Sequence, residues 1–236
     1  MKKTVILLLC FSFIAALSAC TKNSGTGEEA ATASQKTEQT AEAAENEDNN
    51  ETLKTLDEGR IEIVSIKGTD GLFVEKGKEI QVNNIASIVI KNRSDKMLEY
   101  AKISFRVNKY ERADFEISAL PAGESAVVME SLAREYSESD DYECDEASLL
   151  TAYKNADENP DGVEIESGDG IITLKNVSDK TISATVIYKY YIDGQYYGGI
   201  AFSGKFEKVA PGETVTKESD RINEKCRIVN IEIEEI

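Results

Sequence analysis

The nine residues Ile172–Lys180 read ITLKNVSDK, and they repeat the pattern of Ile88–Lys96, which read IVIKNRSDK. A second motif follows each copy: Pro121–Ser125 reads PAGES in the first half of the chain, and Ala210–Thr214 reads APGET in the second. The first motif recurs after 84 residues and the second after 89, so order and spacing are nearly preserved. This internal duplication predicts two copies of one domain.

Each copy of the first motif joins an apolar run to the residues of a tight turn. Asn, Ser and Asp side chains form hydrogen bonds with their own local backbone, so Asn92 and Asn176 are predicted to hold turns between consecutive strands. Asn-x-Ser is also the acceptor pattern for glycans on eukaryotic secreted proteins. The bacterial leader sequence described below favours the turn role.

Short alternating apolar runs continue in both directions from these motifs, beginning at Arg60. A period of two is typical of half-buried antiparallel strands. Asp193-Gly194 separates two apolar runs and strongly indicates a two-residue hairpin turn. One helix is also predicted, over 146–155, with Asp145 as its N-cap. The clearest alternating runs are Ile61–Ser65, Ile88–Ile90, Ile103–Val107 and Phe115–Ile117.

Each copy holds about 75–85 residues, enough for six or seven short strands in two packed sheets. We therefore predict an all-β fold with two tandem small immunoglobulin-like β-sandwich domains. The first covers residues 59–131, an acidic inter-domain segment covers 132–161, and the second domain covers 162–236.

The stretch 172–191 reads ITLKNVSDKTISATVIYKYY, and 209–216 reads VAPGETVT; together they resemble the small immunoglobulin-like, FxLYD-type domains on extracellular lipoproteins of Gram-positive bacteria. In such domains an Asn-x-Ser-Asp-Lys strand precedes a paired strand, and a Pro-Gly-Glu-Thr turn leads into a later one. The resemblance covers both halves, most of residues 60–236. It implies a β-sandwich without catalysis and supplies no site residues.

The N-terminus has the features of a bacterial lipoprotein signal peptide, residues 1–19. Two lysines precede an apolar run, Val5–Leu17, that is shorter than the roughly 20 residues of a membrane-spanning helix. The run ends in Leu17–Cys20, which reads LSAC and resembles the lipobox of diacylated lipoproteins. We expect Cys20 to carry the lipid, to become the mature N-terminus and to anchor the chain in the bilayer on its extracytoplasmic face.

Residues 20–58 are predicted to be a disordered acidic linker. No large apolar residue occurs between Lys22 and Leu53, and the segment carries ten acidic residues against three basic ones. Such a composition buries too little apolar surface to offset chain entropy. The linker is expected to hold the folded part about 33 Å or more from the bilayer.

The charge and composition exclude several classes of function. Removal of residues 1–19 leaves 25 basic residues against 44 acidic ones, a net charge of −19. A chain this acidic repels nucleic acid and anionic lipid, since binding of either needs clustered Lys and Arg. The sequence contains no histidine, so it has no Ser-His or Cys-His dyad and no imidazole metal ligand. We expect no enzyme activity and no cofactor.

Cys144 and Cys226 remain as a pair once Cys20 is lipidated. An even pair outside the membrane is most simply a disulfide. In the chain-entropy model such a loop contributes roughly 4–5 kcal/mol. Two separate thiols are the alternative.

Asp157, Asn159 and Asp161, followed by Gly162, match the first half of an EF-hand calcium loop. Position 12 of that loop is Gly168, where a bidentate Glu is needed. A turn between domains is therefore preferred, with a weak calcium site as the alternative. Nearby, 135–146 contains seven acidic residues in twelve, which indicates a solvated loop or a patch for a cation or a basic partner.

Five tyrosines crowd the Asp-Gly hairpin. Exposed tyrosines suit recognition of protein or carbohydrate, whereas cross-strand pairing would only stabilise the hairpin. The predicted binding face consists of Tyr188, Tyr190, Tyr196 and Tyr197.

These observations predict a non-catalytic binding or interaction module at the cell envelope, with the lipid bilayer and a protein or carbohydrate as its partners. A calcium-dependent structural spacer or cation-binding envelope protein is the alternative. An envelope enzyme that uses carboxylates would need a cleft with convergent Asp and Glu, which neither half suggests.

Overall fold

The computed structural model describes residues 52–75, 78–219 and 221–236. The predicted signal peptide, Cys20 and most of the predicted linker therefore lie outside the described residues. Within those residues, no helix is both long enough and apolar enough to cross a membrane.

The described residues form strands joined by turns, and the predicted all-β class is confirmed. Two single-turn 3-10 helices, Asp57–Gly59 and Glu146–Ser148, interrupt them. The strands are β1 (Lys54–Leu56), β2 (Ile61–Glu75), β3 (Lys78–Asn92), β4 (Met97–Val107), β5 (Glu111–Leu120), β6 (Ser125–Met129), β7 (Tyr142–Cys144), β8 (Leu150–Lys154), β9 (Val163–Gly168), β10 (Ile171–Asn176), β11 (Ile182–Ile192), β12 (Gln195–Val209), β13 (Thr214–Glu218) and β14 (Cys226–Glu235).

The strands pair into three sheets packed in a sandwich-like arrangement. A seven-stranded sheet has the order β1-β2-β3-β6-β12-β11-β14, and a three-stranded sheet has the order β13-β10-β9. In the third sheet β4 pairs with β5 on one side and with β7 and β8 on the other. The predicted alternating runs lie in β2, β3, β4 and β5, and the predicted Asp193-Gly194 turn joins β11 to β12.

The strand pairing of the first half is repeated in the second. β3 pairs with β2 and β6, as β10 pairs with β9 and β13. β4 pairs with β5, and with β7 and β8, as β11 pairs with β12 and β14. The duplication read from the sequence motifs thus corresponds to a duplicated order of strand pairing.

Each half contributes most of one hydrophobic cluster, although Tyr196 and Val229 of the second half belong to the first cluster. Full burial of one such side chain contributes about 1.5–3 kcal/mol. The first cluster includes Ile61, Ile63, Ile88, Ile90, Ile103, Phe105, Phe115, Ile117 and Val128. The second cluster includes Ile172, Leu174, Val186, Tyr188, Tyr190, Phe202, Phe206 and Ile231.

Strand β6 of the first half pairs in parallel with β12 of the second half, through Ala126 with Tyr196 and Val127 with Tyr197. This contact makes the seven-stranded sheet continuous across both predicted domains. The sequence did not predict a shared sheet.

Asn92 ties the two motifs of the first copy together. Its side chain is buried, and its amide nitrogen donates to the carbonyl oxygens of Lys96 at 2.8 Å and Leu120 at 3.0 Å. Its side-chain oxygen accepts the backbone N–H of Ser94 at 3.1 Å. The carbonyl of Asn92 accepts the N–H of Gly123. The predicted turn role is confirmed.

Asn176 makes the same bonds in the second copy. Its amide nitrogen donates to the carbonyl oxygens of Lys180 at 2.7 Å and Val209 at 2.9 Å, and its oxygen accepts the N–H of Ser178 at 2.9 Å. Its carbonyl accepts the N–H of Gly212. One buried Asn per copy therefore joins the Asn-x-Ser-Asp turn to the Gly-Glu turn, which explains why the two motifs occur together.

The folded region begins earlier than predicted. The linker was expected to continue to residue 58, but Lys54–Leu56 pairs with β2 and Leu56 is 2% exposed in the first cluster. Leu56 packs into the first cluster while Leu53 and the residues of β1 pair with β2, so this stretch belongs to the sheet.

The predicted helix over 146–155 is wrong. Only one 3-10 turn forms, and Leu150–Lys154 is a strand on β4. Leu149 and Tyr153 pack against the first cluster. Their spacing of four residues suits one face of a helix, but it equally suits one face of a strand.

Candidate functional site

The predicted tyrosine face is not exposed to solvent. Tyr188, Tyr190 and Tyr196 are each only 4% exposed. Tyr197 is half-buried, and its ring centroid lies 4.8 Å from that of Phe73. The prediction that these side chains form an exposed binding face is therefore wrong, because both faces of this hairpin are covered.

The rings pair across strands, as the alternative interpretation had it. Tyr191 and Tyr196 are direct partners on β11 and β12, and their rings meet edge-to-face at 5.1 Å. Burial raises the pKa of Tyr196 to about 12. These tyrosines stabilise the hairpin.

The two cysteines are free thiols in this structure, so the predicted disulfide is not formed in it. Cys144 packs beside the first cluster and Cys226 beside the second. The thiol of Cys226 donates to the carbonyl of Arg221 at 3.0 Å. Burial raises the pKa of both thiols, which lowers their reactivity.

The EF-hand-like residues act in a turn. A carboxylate oxygen of Asp157 accepts the backbone N–H of Asn159 at 3.0 Å, and the Asp157 carbonyl accepts the N–H of Ile231. Asp161 lies in the turn that precedes β9. Across the part of the chain that the structure describes, no group of three or more Cys, Asp and Glu residues is placed to hold a metal ion.

The acidic segment is more ordered than a solvated loop. Tyr142–Cys144 pairs with β4, and Arg134 forms ion pairs with Glu111 and Asp140. Hydrogen bonds from Asn108 and Arg134 lower the pKa of the Asp140 carboxyl. The segment therefore belongs to the edge of the third sheet.

A groove of about 770 Å³ lies on the outer face of β2 and β3, where the turn between β11 and β12 approaches them. This volume falls in the range of small-ligand sites. We refer to it as the cationic groove. Its lining residues are Glu62, Val64, Ser65, Lys67, Val89, Lys91, Arg93, Ser125, Asp193, Gly194 and Gln195.

The strand period places the basic residues in the cationic groove. Ile88 and Ile90 of β3 point into the first cluster, so Lys91 lies on the outer face, and Arg93, one residue beyond the end of β3, lines the same groove. Lys67 reaches the groove from β2, where it pairs with Ser87. The groove thus collects three cations in a chain with a net charge of −17.

One of the two acidic residues in the groove is already bound. Glu62 is 5% exposed, and its carboxylate accepts hydrogen bonds from Arg93 and Thr52. The Arg93 bond lowers the pKa of Glu62, and the Thr52 bond assists it against the opposing effect of burial. The other acid, Asp193, is exposed in the hairpin turn.

Lys67 and Lys91 are not engaged in ion pairs. Within the described ranges neither ammonium lies within ion-pair distance of a carboxylate, although Lys91 is close enough to help lower the pKa of Glu62. Three cations against the carboxylates of Glu62 and Asp193 leave the groove lining with a net charge of +1, together with the hydroxyls of Ser65 and Ser125 and the carboxamide of Gln195. Such a surface can bind an anion.

Sequence reasoning missed this groove. The alternation in Ile88–Arg93 indicated that Lys91 and Arg93 share a face, and that signal was available. The approach of Gln195 depends on the pairing of β6 with β12, for which the sequence holds no local signal.

No protein-family model matches this chain, and no curated protein matches it. Among solved structures, it is similar to the C-terminal globular domain of oligosaccharyltransferase from Pyrococcus abyssi, with 14% sequence identity and a TM-score of 0.16. The match covers 75% of this chain and 46% of that chain, so this chain spans about half the length of its neighbour. A TM-score of 0.16 does not indicate a shared fold or activity.

Proposed function

We propose that this protein is a lipid-anchored, extracytoplasmic binding module of the bacterial cell envelope that acts without catalysis. The leader sequence and Cys20 support the anchoring. The cationic groove supports the binding role, and it is the observation that carries the proposal.

The groove has features that suit binding. It is concave, it lies on a rigid sheet, and its donors come from β2, β3, β6 and the turn between β11 and β12. Three cations gathered in one concave region give an otherwise acidic protein a local surface that attracts anionic groups.

The placement of buried carboxylates supports a role without catalysis. Glu130 is 2% exposed, and its oxygens accept the backbone N–H groups of Asp114, Leu132 and Arg134 at 2.8–3.1 Å. Glu62 is held by Arg93 and Thr52. These carboxylates serve the local structure, and the sequence offers no histidine to act as a base.

Two measurements test the proposal. Metabolic labelling with a fatty acid should mark the wild type and not a Cys20→Ser variant. Purified Cys20→Ser protein should then be retained by envelopes prepared from cells that lack the protein.

Retention should depend on the groove. A Cys20→Ser variant that also carries Lys67→Glu and Lys91→Glu should lose envelope binding, while one with Lys225→Glu, at an exposed lysine outside the groove, should keep it. Unlabelled wild-type protein would refute the anchoring. Equal retention of both variants would refute the groove as the binding surface.

A further inference from the structure

We propose that the cationic groove binds a small polar ligand through a phosphate group. This inference rests on the proposed binding function and adds the chemical class of the ligand.

Several donors line the groove together. Lys91 lies near the end of β3, and Arg93 follows two residues later, one position beyond the strand. Ser125 of β6 is the direct partner of Lys91, so the two side chains leave the same face of the sheet. Gln195 brings a carboxamide to the same groove from the hairpin turn. An ammonium, a guanidinium, a hydroxyl and an amide thus surround one volume.

Arg93 still has donors for a ligand. Its Nε donates to Glu62, which fixes the guanidinium at the groove wall. A guanidinium carries five N–H groups in total, and its side chain here is 50% exposed. The Glu62 carboxylate therefore orients Arg93 without using all of its hydrogen bonds.

The mixture of donors in the lining suits a phosphate. Ammonium, guanidinium, hydroxyl and carboxamide donors come from β2, β3, the residue after β3, β6 and a turn, and a phosphate offers several acceptor oxygens to such a set. None of the described residues that line the groove is aromatic, so they offer a sugar ring or a base no surface on which to stack. Recognition must come from charge and hydrogen bonds.

The charge of the whole chain limits the size of the ligand. A long polyanion would extend from the groove over a protein with a net charge of −17 and would be repelled there. A compact ligand with one phosphate stays within the 770 Å³ groove. Lys67 lies further along the groove, because its partner Ser87 is four residues, about 13 Å, from Lys91 on β3. Lys67 is therefore available to contact the polar remainder of the ligand.

The phosphate has two sources in an envelope: a soluble polyol phosphate or the headgroup of an anionic phospholipid. The test uses Cys20→Ser protein, otherwise the full mature chain. Glycerol phosphate is titrated by calorimetry and by NMR of backbone amides, with glycerol as the uncharged control. Vesicles of phosphatidylglycerol, with phosphatidylcholine as control, form the second arm.

We expect saturable one-to-one binding of glycerol phosphate and none of glycerol, with amide shifts confined to β2, β3, β6 and the hairpin turn. Lys91→Gln should weaken binding by about tenfold or more, the loss expected for one charged contact. Lys225→Gln, at an exposed lysine outside the groove, should leave it unchanged. Binding to phosphatidylglycerol vesicles but not to glycerol phosphate would assign the headgroup as the source.

Failure of this inference can be told apart from failure of the proposed function. If neither phosphate source binds but envelope retention still depends on Lys67 and Lys91, the ligand class is wrong and the binding module stands. If envelope retention is also independent of those lysines, both proposals fall. Equal affinity of wild type and Lys91→Gln for glycerol phosphate would place the ligand elsewhere and overturn the inference.

Discussion

The ammonium nitrogen of Lys189 lies 3.1 Å from the carbonyl oxygen of Ser118, so a side chain of the second half is bonded to the backbone of the first. The same ammonium donates to the carbonyl oxygens of Gly198 at 3.0 Å and Gly199 at 2.6 Å. Lys189 is 1% exposed. The buried ammonium is therefore hydrogen-bonded to the backbone where β5 contacts an irregular stretch of β12.

Lys189→Met should destabilise the protein. Methionine keeps the aliphatic volume but removes the ammonium donor. The buried carbonyl oxygens of Ser118, Gly198 and Gly199 then each lose a hydrogen bond. A buried acceptor without its partner costs about 1–3 kcal/mol. Urea unfolding measures this loss, with Lys205→Met at an exposed lysine of β12 as the control. Equal stability of both variants and wild type would show that the bonds of Lys189 contribute nothing.

Gly199→Ala should destabilise the protein at the same contact between β5 and β12. A Cβ atom at this position would lie 2.1 Å from the carbonyl oxygen of Glu116, which is backbone and cannot move aside as a side chain can. Overpacking of this kind typically costs about 1–3 kcal/mol. Gly204→Ala, on the same strand, is the matched control, because its Cβ would meet Ile172 at an ordinary 3.8 Å. A thermal midpoint that falls equally for both variants would contradict the close approach of β5 and β12.

Asn92→Ala and Asn176→Ala should cost similar amounts of stability. Each removes a fully buried amide that joins two turns through the same set of bonds. The expected loss is about 2–3 kcal/mol for either variant, since buried carbonyls lose their donor. Asn83→Ala, at an exposed position of β3, should change little. Denaturant unfolding of the three variants checks this, and losses that differ severalfold would argue against equivalent turns.

The sequence predicted the features that depend on neighbouring residues or on a motif that is repeated. The period-two runs, the Asp193-Gly194 turn and the roles of Asn92 and Asn176 depend on residues close in sequence or on a motif that occurs twice. The shared sheet and the burial of Lys189 depend on how one half meets the other, and no spacing in the sequence records that contact.

The tyrosines show why the binding face was wrongly predicted. Alternation indicates that neighbours on a strand face opposite ways, but it does not tell which face is exposed. On β11 both faces are covered: Tyr188 and Tyr190 belong to the second cluster, while Ile187 and Tyr191 pack against the first. A strand buried on both sides leaves no exposed aromatic row.

Cys144 and Cys226 should behave as two slow-reacting thiols. Burial is the main cause of the raised pKa of each thiol, so less thiolate is present at pH 8. In Cys20→Ser protein, alkylation should be at least about tenfold slower in the native state than in urea, and two groups should add in urea without reductant. Intact-mass spectrometry measures both. If alkylation in urea requires prior reduction, the two residues form the disulfide predicted from the sequence.

Glu62 should make stability depend on acid pH. The Arg93 hydrogen bond lowers its pKa below the ordinary value of about 4.3, so the ionised carboxylate stabilises the fold. That stabilisation is fully present above the unfolded-state pKa and is lost as the pH falls through the lower folded-state pKa. Glu62→Gln should therefore be about 1–2 kcal/mol less stable than wild type near pH 7, and the gap should narrow below about pH 4. Arg93→Gln should show the same narrowing, because it removes the donor that lowers the pKa. Urea unfolding at several pH values measures the difference in unfolding free energy between each variant and wild type. Plots of stability against pH that stay parallel down to pH 3 would mean that the ion pair does not stabilise the folded state.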